Sequence, residues 1–141
     1  MNRSAELMSI LLVEDSLADV ELTLEALESA KVANQVTVVR DGAAALEHLR
    51  GDVDNYPDLM ILDLNLPRLT GHEVLATMRA DPSLRRIPVA VLTTSSAESD
   101  VEKTYDLGAN CFLTKPVDIE QFIHVVQSID NFWLGLVRLP R

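Results

Sequence analysis

The sequence has a single cysteine, few basic residues and no apolar run long enough to cross a membrane. Because Cys111 has no second cysteine to pair with, an internal disulfide is excluded, and we expect a cytoplasmic protein. The longest apolar runs have the length of β-strands, and the first residues contain no signal-peptide stretch. Lysine and arginine number 12 against 22 acidic residues, and the net charge of −10 argues against nucleic acid as a partner. We therefore expect neither a membrane nor a nucleic-acid partner.

Length and composition predict one globular domain. The chain has 141 residues, 48% of them hydrophobic and 24% charged, which is enough to bury a sizeable core. We expect a single domain over residues 1–141, with its core at about 8–134 and a C-terminal extension at 135–141. This leaves no room for an attached output domain, so a signal would leave through a protein partner or a change in self-association.

Apolar runs and amphipathic stretches alternate five times along the chain. The runs predict strands at about 9–13, 36–39, 59–62, 89–92 and 111–114. Helices are predicted at 16–30, from Asp41 as a cap, after residue 71, at 97–107 and at 118–134. This alternation is typical of a parallel sheet covered on both faces. We expect a flavodoxin-like, doubly wound α/β fold with strand order 2-1-3-4-5 and an extended terminal helix and tail.

Polar residues follow four of the five predicted strands. They are Glu14 and Asp15 after the first, Asp63 after the third, Thr93 at the end of the fourth and Lys115 after the fifth. Since the carboxyl ends of parallel strands share one edge of the sheet, these side chains should converge. Three carboxylates in one place need a cation or a shared proton, and Mg²⁺ is the oxygen-binding ion that fits best. A lysine and a hydroxyl then suit a phosphoryl group, so the pattern predicts a phosphorylatable aspartate.

This pattern resembles the receiver domain of two-component response regulators, over about residues 8–133. Glu14-Asp15, Asp63 within ILDLNLPRLTG, Thr93 and Lys115-Pro116 occur in the family's order and at similar spacing. The segment CFLTKP and the ending FWLGLVRLP are similar to single-domain regulators that partner bacterial and cyanobacterial phytochromes. The resemblance implies a stand-alone regulator that a phytochrome-type histidine kinase phosphorylates, and a signalling protein rather than an enzyme.

The resemblance also implies a role for each matching residue. Asp63 would be the phosphoacceptor, and Asp15, Asp63 and the backbone carbonyl of Asn65 would hold Mg²⁺, with Glu14 orienting a metal-bound water. Lys115 would pair with the Asp63 carboxylate before phosphoryl transfer and with a phosphoryl oxygen afterwards.

A second set of residues would transmit the signal. The hydroxyl of Thr93 would bond the new phosphoryl group and draw the following loop with it. Phe112 lies where the family has a switch aromatic, although an ordinary packing role in its strand is an equally good interpretation. The resemblance also implies a cis Lys115-Pro116 bond.

An apolar cluster continues beyond the helix that the fold requires. Its members are Phe132, Trp133, Leu136, Val137 and Leu139. Clusters of this kind usually mark an interface, although additional core is the alternative. We expect a homodimer formed by this tail together with the predicted fourth helix, the fifth strand and the terminal helix.

Three other classes of protein compete with this interpretation. A flavin-binding electron carrier would need a phosphate loop after the first strand, where EDSLAD instead places acids. A phosphatase with a covalent aspartate would have its nucleophile after the first strand and an acid two residues later, whereas Asn65 follows Asp63 here. A phosphorylation-independent dimeric scaffold with a receiver fold stays open.

Overall fold

The computed structural model describes residues 8–29, 33–51, 56–94, 108–109 and 111–127. Within that part of the chain the strands are β1 (Met8–Val13), β2 (Asn34–Val39), β3 (Leu59–Asp63), β4 (Val89–Thr93) and β5 (Cys111–Thr114). The helices are α1 (Leu17–Ser29), α2 (Gly42–Leu49), α3 (Gly71–Ala80) and α4 (Ile119–Gln127). The predicted helix at 97–107 and the predicted interface residues Phe132, Trp133, Leu136, Val137 and Leu139 lie outside the described residues.

The five strands form one parallel sheet with the order β2-β1-β3-β4-β5. The predicted fold class and strand order are therefore confirmed. Asp63 at the end of β3 pairs with Leu92, and Thr93 at the end of β4 pairs with Thr114. This register brings the carboxyl ends of β3, β4 and β5 level at one edge of the sheet, where the candidate site lies.

Apolar side chains cover the sheet on both faces. Successive residues of β1 point to opposite sides, so Ile10 and Leu12 join one core cluster while Leu11 and Val13 join the other. The first cluster packs under α1 and α4 and includes the fully buried Phe122. The second packs under α2 and α3. Burial on both faces explains why the central strands are uninterrupted apolar runs in the sequence.

Side-chain caps define where two of the helices begin. Asp41 accepts a hydrogen bond from the Ala44 N–H at 2.7 Å, which confirms the predicted cap of α2. At the start of α3, Thr70 and Glu73 form a reciprocal capping box, in which each side chain accepts the other residue's backbone N–H. Both helices therefore have fixed amino termini beside the candidate site's edge of the sheet.

Gly71 allows α3 to begin directly against the end of β3. A Cβ atom at this position would lie 2.6 Å from the Leu64 Cα and would also contact the Asp63 carbonyl oxygen. The Gly71 N–H donates to the Leu64 carbonyl at 3.1 Å. Because only glycine permits this approach, α3 can begin close to Asp63 and to the loop that follows it.

Arg79 of α3 ties together two loops, and removing it should destabilise the fold. Its guanidinium donates to the carbonyls of Gly108, Arg85 and Ile87 at 3.1, 2.8 and 3.1 Å. Because the partly buried bonds to the Gly108 and Ile87 carbonyls would lose their charged donor, Arg79→Ala should lower the free energy of unfolding by about 2–3 kcal/mol in a urea titration. Arg79→Lys should recover less than half of the loss, since an ammonium cannot reach three separated acceptors.

The exposed Arg86 supplies the matched control for this prediction. Arg86→Ala should change the free energy of unfolding by less than about 0.5 kcal/mol. An equally small change in the free energy of unfolding of Arg79→Ala would contradict the role of Arg79 in holding the two loops together.

Candidate functional site

Three strand ends bring a buried acid pair and a lysine together. Glu14 follows β1 and is 0% exposed, and Asp63 ends β3 and is 1% exposed. Lys115 follows β5, and its side chain is 11% exposed. Ionised groups are rarely this buried unless they are paired, so their partners decide what the site can do.

The Lys115 ammonium lies among three carboxylates. Its Nζ is 2.9 Å from Glu14 Oε1, 2.9 Å from Asp19 Oδ2 and 3.1 Å from Asp63 Oδ2. The contacts with Asp19 and Asp63 have hydrogen-bond geometry. Burial alone would lower the pKa of Lys115, but these carboxylates outweigh it and raise the pKa above its ordinary value. The lysine is therefore charged at every physiological pH.

Gln121 of α4 holds the turn that presents Lys115. Its Oε1 accepts the Thr114 N–H at 2.8 Å, and its Nε2 donates to the carbonyls of Thr114 and Pro116 at 3.1 and 3.2 Å. Asp118 caps the same helix by accepting the Gln121 N–H at 2.8 Å. The backbone on both sides of Lys115 is thus fixed to the first turn of α4.

Glu14 has one satisfied carboxylate oxygen and one that lacks an aligned donor. Oε2 accepts the Ser16 N–H at 3.0 Å. Oε1 is close to Lys115, but within the described part of the chain no donor makes a hydrogen bond of good geometry to it. Desolvation raises the pKa of Glu14, and the neighbouring Asp63 raises it further, while Lys115 and the Ser16 N–H act in the opposite direction. A buried, under-coordinated carboxylate oxygen is suited to a cation or a cation-bound water.

Asp63 is oriented through both of its carboxylate oxygens. Oδ1 accepts the Asn65 N–H at 3.0 Å, and Oδ2 accepts from Lys115 at 3.1 Å. The following residue, Leu64, donates its N–H to the Leu92 carbonyl at 3.2 Å, which ties the end of β3 to β4. The Asp63 carboxylate is therefore held in one orientation at the end of β3.

Glu14, Asp15 and Asp63 each offer a carboxylate oxygen within 4.8 Å of the others. Arg40, the residue after β2, donates to the Asp15 carbonyl at 2.7 Å and so fixes the backbone of Asp15. A hard divalent cation prefers oxygen ligands of this kind, and the ion pair with Lys115 gives Glu14 Oε1 no hydrogen bond of good geometry among the described residues. The residues present fit a divalent metal.

The remaining predicted features of the site are Thr93, Asn65, the cis bond before Pro116 and Phe112. Thr93 ends β4 opposite Thr114, and its side chain is outside the described residues. Asn65 is exposed, and the Lys115-Pro116 bond is cis as the resemblance implied. Phe112 is partly buried and packs against the core cluster under α2 and α3.

Comparison with known proteins settles which family has this arrangement. The sequence matches the response regulator receiver domain over residues 10–127. The chain belongs to this family. Receiver domains are generally parts of signalling proteins rather than classical enzymes, and phosphorylation of an aspartate is implied by the family.

A named response regulator is similar to this receiver domain in both sequence and structure. Response regulator Rcp1 from Synechocystis sp. is 47% identical over 135 residues, which cover 93% of this chain and 92% of that protein. The structure of its Mn²⁺-bound form has a TM-score of 0.72, with 44% identity over 95% of this chain and 99% of that one.

Two further solved structures are similar over most of the receiver domain. The bacteriophytochrome response regulator RtBRR has a TM-score of 0.79 and 47% identity, with 88% of this chain and 78% of that chain covered. The phosphorylated cyanobacterial phytochrome response regulator RcpA has a TM-score of 0.73 and 45% identity, with 95% and 99% covered. The chain is thus homologous to phytochrome response regulators. Among its described residues, no helix has the length and apolar character needed to span a membrane.

Sequence reasoning missed three residues that shape the site: Asp19, Gln121 and Arg40. Asp19 lies in the first turn of α1 and contacts Lys115, and the amphipathic pattern of that helix does not predict this contact. Its place in the first turn after Glu14-Asp15 was the available signal. Gln121 and Arg40 bind backbone carbonyls, and no sequence pattern predicts such contacts.

Proposed function

We propose that this receiver domain accepts a phosphoryl group on Asp63 from a histidine kinase, with Mg²⁺ bound at the adjacent acidic cluster. The observation that carries the proposal is the position of Asp63. It is buried, it lies 3.1 Å from the Lys115 ammonium, and it shares an acidic cluster with Glu14 and Asp15. A carboxylate in this position can act as a nucleophile, because the Lys115 ammonium lies on one side of it and the acidic cluster can hold a divalent metal beside it.

Each side chain of the site has a separate role in the proposed phosphoryl transfer. A carboxylate oxygen of Asp63 attacks the phosphorus of a phosphohistidine, and the new O–P bond forms as the P–N bond breaks, with its electron pair remaining on the ring nitrogen. Lys115 donates a hydrogen bond to a phosphoryl oxygen as the group arrives. Asp15, Asp63 and the Asn65 carbonyl would hold Mg²⁺, and Glu14 would orient its water. When bound, the ion offsets the charge of the phosphoryl group.

Thr93 and Phe112 would convert phosphorylation into a change of shape. In this proposal the Thr93 hydroxyl bonds the new phosphoryl group and the loop after β4 follows it. Phe112 lies on the neighbouring strand β5, where it pairs with Val91 and is only partly buried. A ring in that position can respond to a movement of Thr93.

The names of the relatives support a phytochrome-type kinase as the partner. RtBRR and RcpA are both response regulators of phytochromes, and the chain spans 92% of the length of Rcp1. We propose that the output is a protein contact or a change in dimerisation. The proposed dimer involves the apolar tail together with the predicted helix at 97–107, β5 and α4.

The test is the intact mass and the size-exclusion profile before and after acetyl phosphate is added with Mg²⁺. A mass increase of one phosphoryl group, absent when the metal is chelated, would support the proposal. A shift in elution volume that accompanies it would show association to be the output. No mass increase with any divalent metal would overturn the phosphoacceptor proposal in favour of a scaffold.

Mg²⁺ should stabilise the protein, and the effect should depend on Asp15. A ligand that binds only the folded state at a hundred times its Kd adds about 2.7 kcal/mol to the free energy of unfolding. We expect a rise of this order in urea titrations of the wild type with Mg²⁺. In Asp15→Asn most of the rise should disappear, because one carboxylate of the cluster is lost.

Glu47→Gln is the control, since Glu47 is exposed on α2 away from the acidic cluster. It should keep the full response to Mg²⁺. The same Mg²⁺ response in Asp15→Asn as in the wild type would show that Asp15 does not hold the ion.

A further inference from the structure

Asp19 supplies a carboxylate to Lys115 from outside the acidic cluster. It lies in the first turn of α1, and its own N–H donates to Ser16 Oγ at 3.3 Å. Its Oδ2 accepts a hydrogen bond from Lys115 Nζ at 2.9 Å, across 96 residues of sequence. Asp19 does not belong to the group of Glu14, Asp15 and Asp63 that could hold a metal among the described residues. Asp19 therefore contacts the site through Lys115.

A lysine ammonium has three N–H donors, and all three have carboxylate neighbours here. Two of those carboxylates, Glu14 and Asp63, are needed elsewhere in the proposed reaction. Asp63 must give up the contact when it becomes an acyl phosphate, and Glu14 would orient a metal-bound water. Asp19 has neither of these roles, and its side chain is 32% exposed.

We propose that Asp19 is a positioning residue that holds the Lys115 ammonium at the phosphorylation site, an inference that rests on the function proposed above. The lysine stem is long and flexible, so an ammonium without a lateral partner would sample several positions. With Asp19 in place, Lys115 can exchange Asp63 Oδ2 for a phosphoryl oxygen while one hydrogen bond stays unchanged. Asp19 thus limits the movement that phosphoryl transfer requires of the lysine.

The rate of phosphorylation by acetyl phosphate at saturating Mg²⁺ tests this role without a kinase. Asp19→Ala should lower the rate constant about tenfold, because the ammonium is no longer fixed where the phosphoryl group arrives. Asp19→Asn keeps an acceptor oxygen in the same place and should recover most of the rate. Glu21→Ala, which removes an exposed acid two residues further along α1, should behave like the wild type.

A double-mutant comparison separates positioning of Lys115 from a general effect of charge. In a Lys115→Met background, Asp19→Ala should cause no further loss of rate, because the group it positions is already gone. An unchanged rate constant for Asp19→Ala in the wild-type background would overturn the inference. A tenfold loss of rate when Asp19→Ala is added to Lys115→Met would also overturn the inference.

The ammonium signal of Lys115 provides a readout that does not depend on phosphorylation. The chain contains three lysines, and a proton-detected ¹⁵N signal from the buried ammonium can be assigned by its loss in Lys115→Met. It should disappear in Asp19→Ala through faster proton exchange and persist in Asp19→Asn. If the wild type accepted no phosphoryl group, the proposed function would fail. The ammonium signal would still decide the role of Asp19, and an unchanged signal in Asp19→Ala would refute it.

Discussion

Replacing Asp63 with asparagine is expected to abolish phosphorylation by acetyl phosphate or by a histidine kinase. An amide is neutral, and its oxygen is a far weaker nucleophile than a carboxylate oxygen, so no acyl phosphate should form at this position. The mass increase of one phosphoryl group seen for the wild type with Mg²⁺ should be missing from the whole Asp63→Asn population. Intact-mass spectrometry at several times up to the wild-type plateau measures this directly.

The loss should not result from unfolding. An asparagine side chain has nearly the same volume, and its amide oxygen can still accept the Asn65 N–H that Asp63 Oδ1 accepts at 3.0 Å. Lys115 keeps Glu14 and Asp19 as partners. Neutralising Asp63 also removes one of the charges that raise the pKa of Glu14, which eases the burial of that carboxylate. We therefore expect a urea midpoint close to that of the wild type.

Asp58 provides a matched control at the opposite end of the same strand. It is partly buried immediately before β3, and its Oδ2 accepts the Ser9 N–H at 2.8 Å, a bond that an asparagine oxygen can also make. Asp58→Asn should be phosphorylated like the wild type. Persistent phosphorylation of Asp63→Asn would show that another residue is the acceptor, and loss of phosphorylation in both variants would point to a general defect.

The sequence predicted the strands and their convergence because both follow from strong local patterns. Runs such as Leu59–Asp63 are apolar on both faces, which is typical of central parallel strands. Once the strand order is known, the acids after β1 and β3 and the lysine after β5 must meet at one edge. The positions of Glu14, Asp63 and Lys115 were therefore predictable without any knowledge of side-chain contacts.

Contacts that depend on the angle and depth of a helix were not predictable in the same way. Asp19 meets Lys115 across 96 residues of sequence, and the amphipathic pattern of α1 does not contain that information. Gln121 and Arg79 donate to backbone carbonyls of irregular segments, whose paths no periodic pattern determines. The chemistry of the site could thus be predicted, whereas the groups that orient it could not.

Replacing Lys115 with methionine should cause the largest loss of stability among the variants of this site. Methionine keeps the length and apolar character of the lysine stem, so the change removes the charge without opening a large cavity. Glu14 and Asp63 are 0% and 1% exposed and would be left without their buried cation. Removing one partner of a buried ion pair typically costs about 3–5 kcal/mol, and we expect a loss of this order at neutral pH without metal.

The pH dependence of the stability of Lys115→Met tests whether the charge of Glu14 causes the loss. The pKa of folded Glu14 is already raised by burial, and losing Lys115 removes a contact that lowers it. Between the unfolded and the folded pKa, the folded state binds more protons than the unfolded state, so stability increases as the pH falls. The difference in free energy of unfolding between Lys115→Met and the wild type should therefore shrink as the pH is lowered from 7 through the folded pKa of Glu14.

Mg²⁺ should restore most of the stability that Lys115→Met loses. With the ammonium gone, the cluster of Glu14, Asp15 and Asp63 has a greater excess of negative charge, so the cation binds more tightly and stabilises the variant more than the wild type. Arg86→Ala, which removes an exposed cation elsewhere, should show neither the loss nor the larger response. An undiminished deficit at saturating Mg²⁺ would mean that the lysine acts through packing and not through charge. A full rescue would instead show that Lys115 and the divalent metal neutralise the same buried carboxylates, which would explain why the lysine is available for a phosphoryl oxygen once the metal is bound.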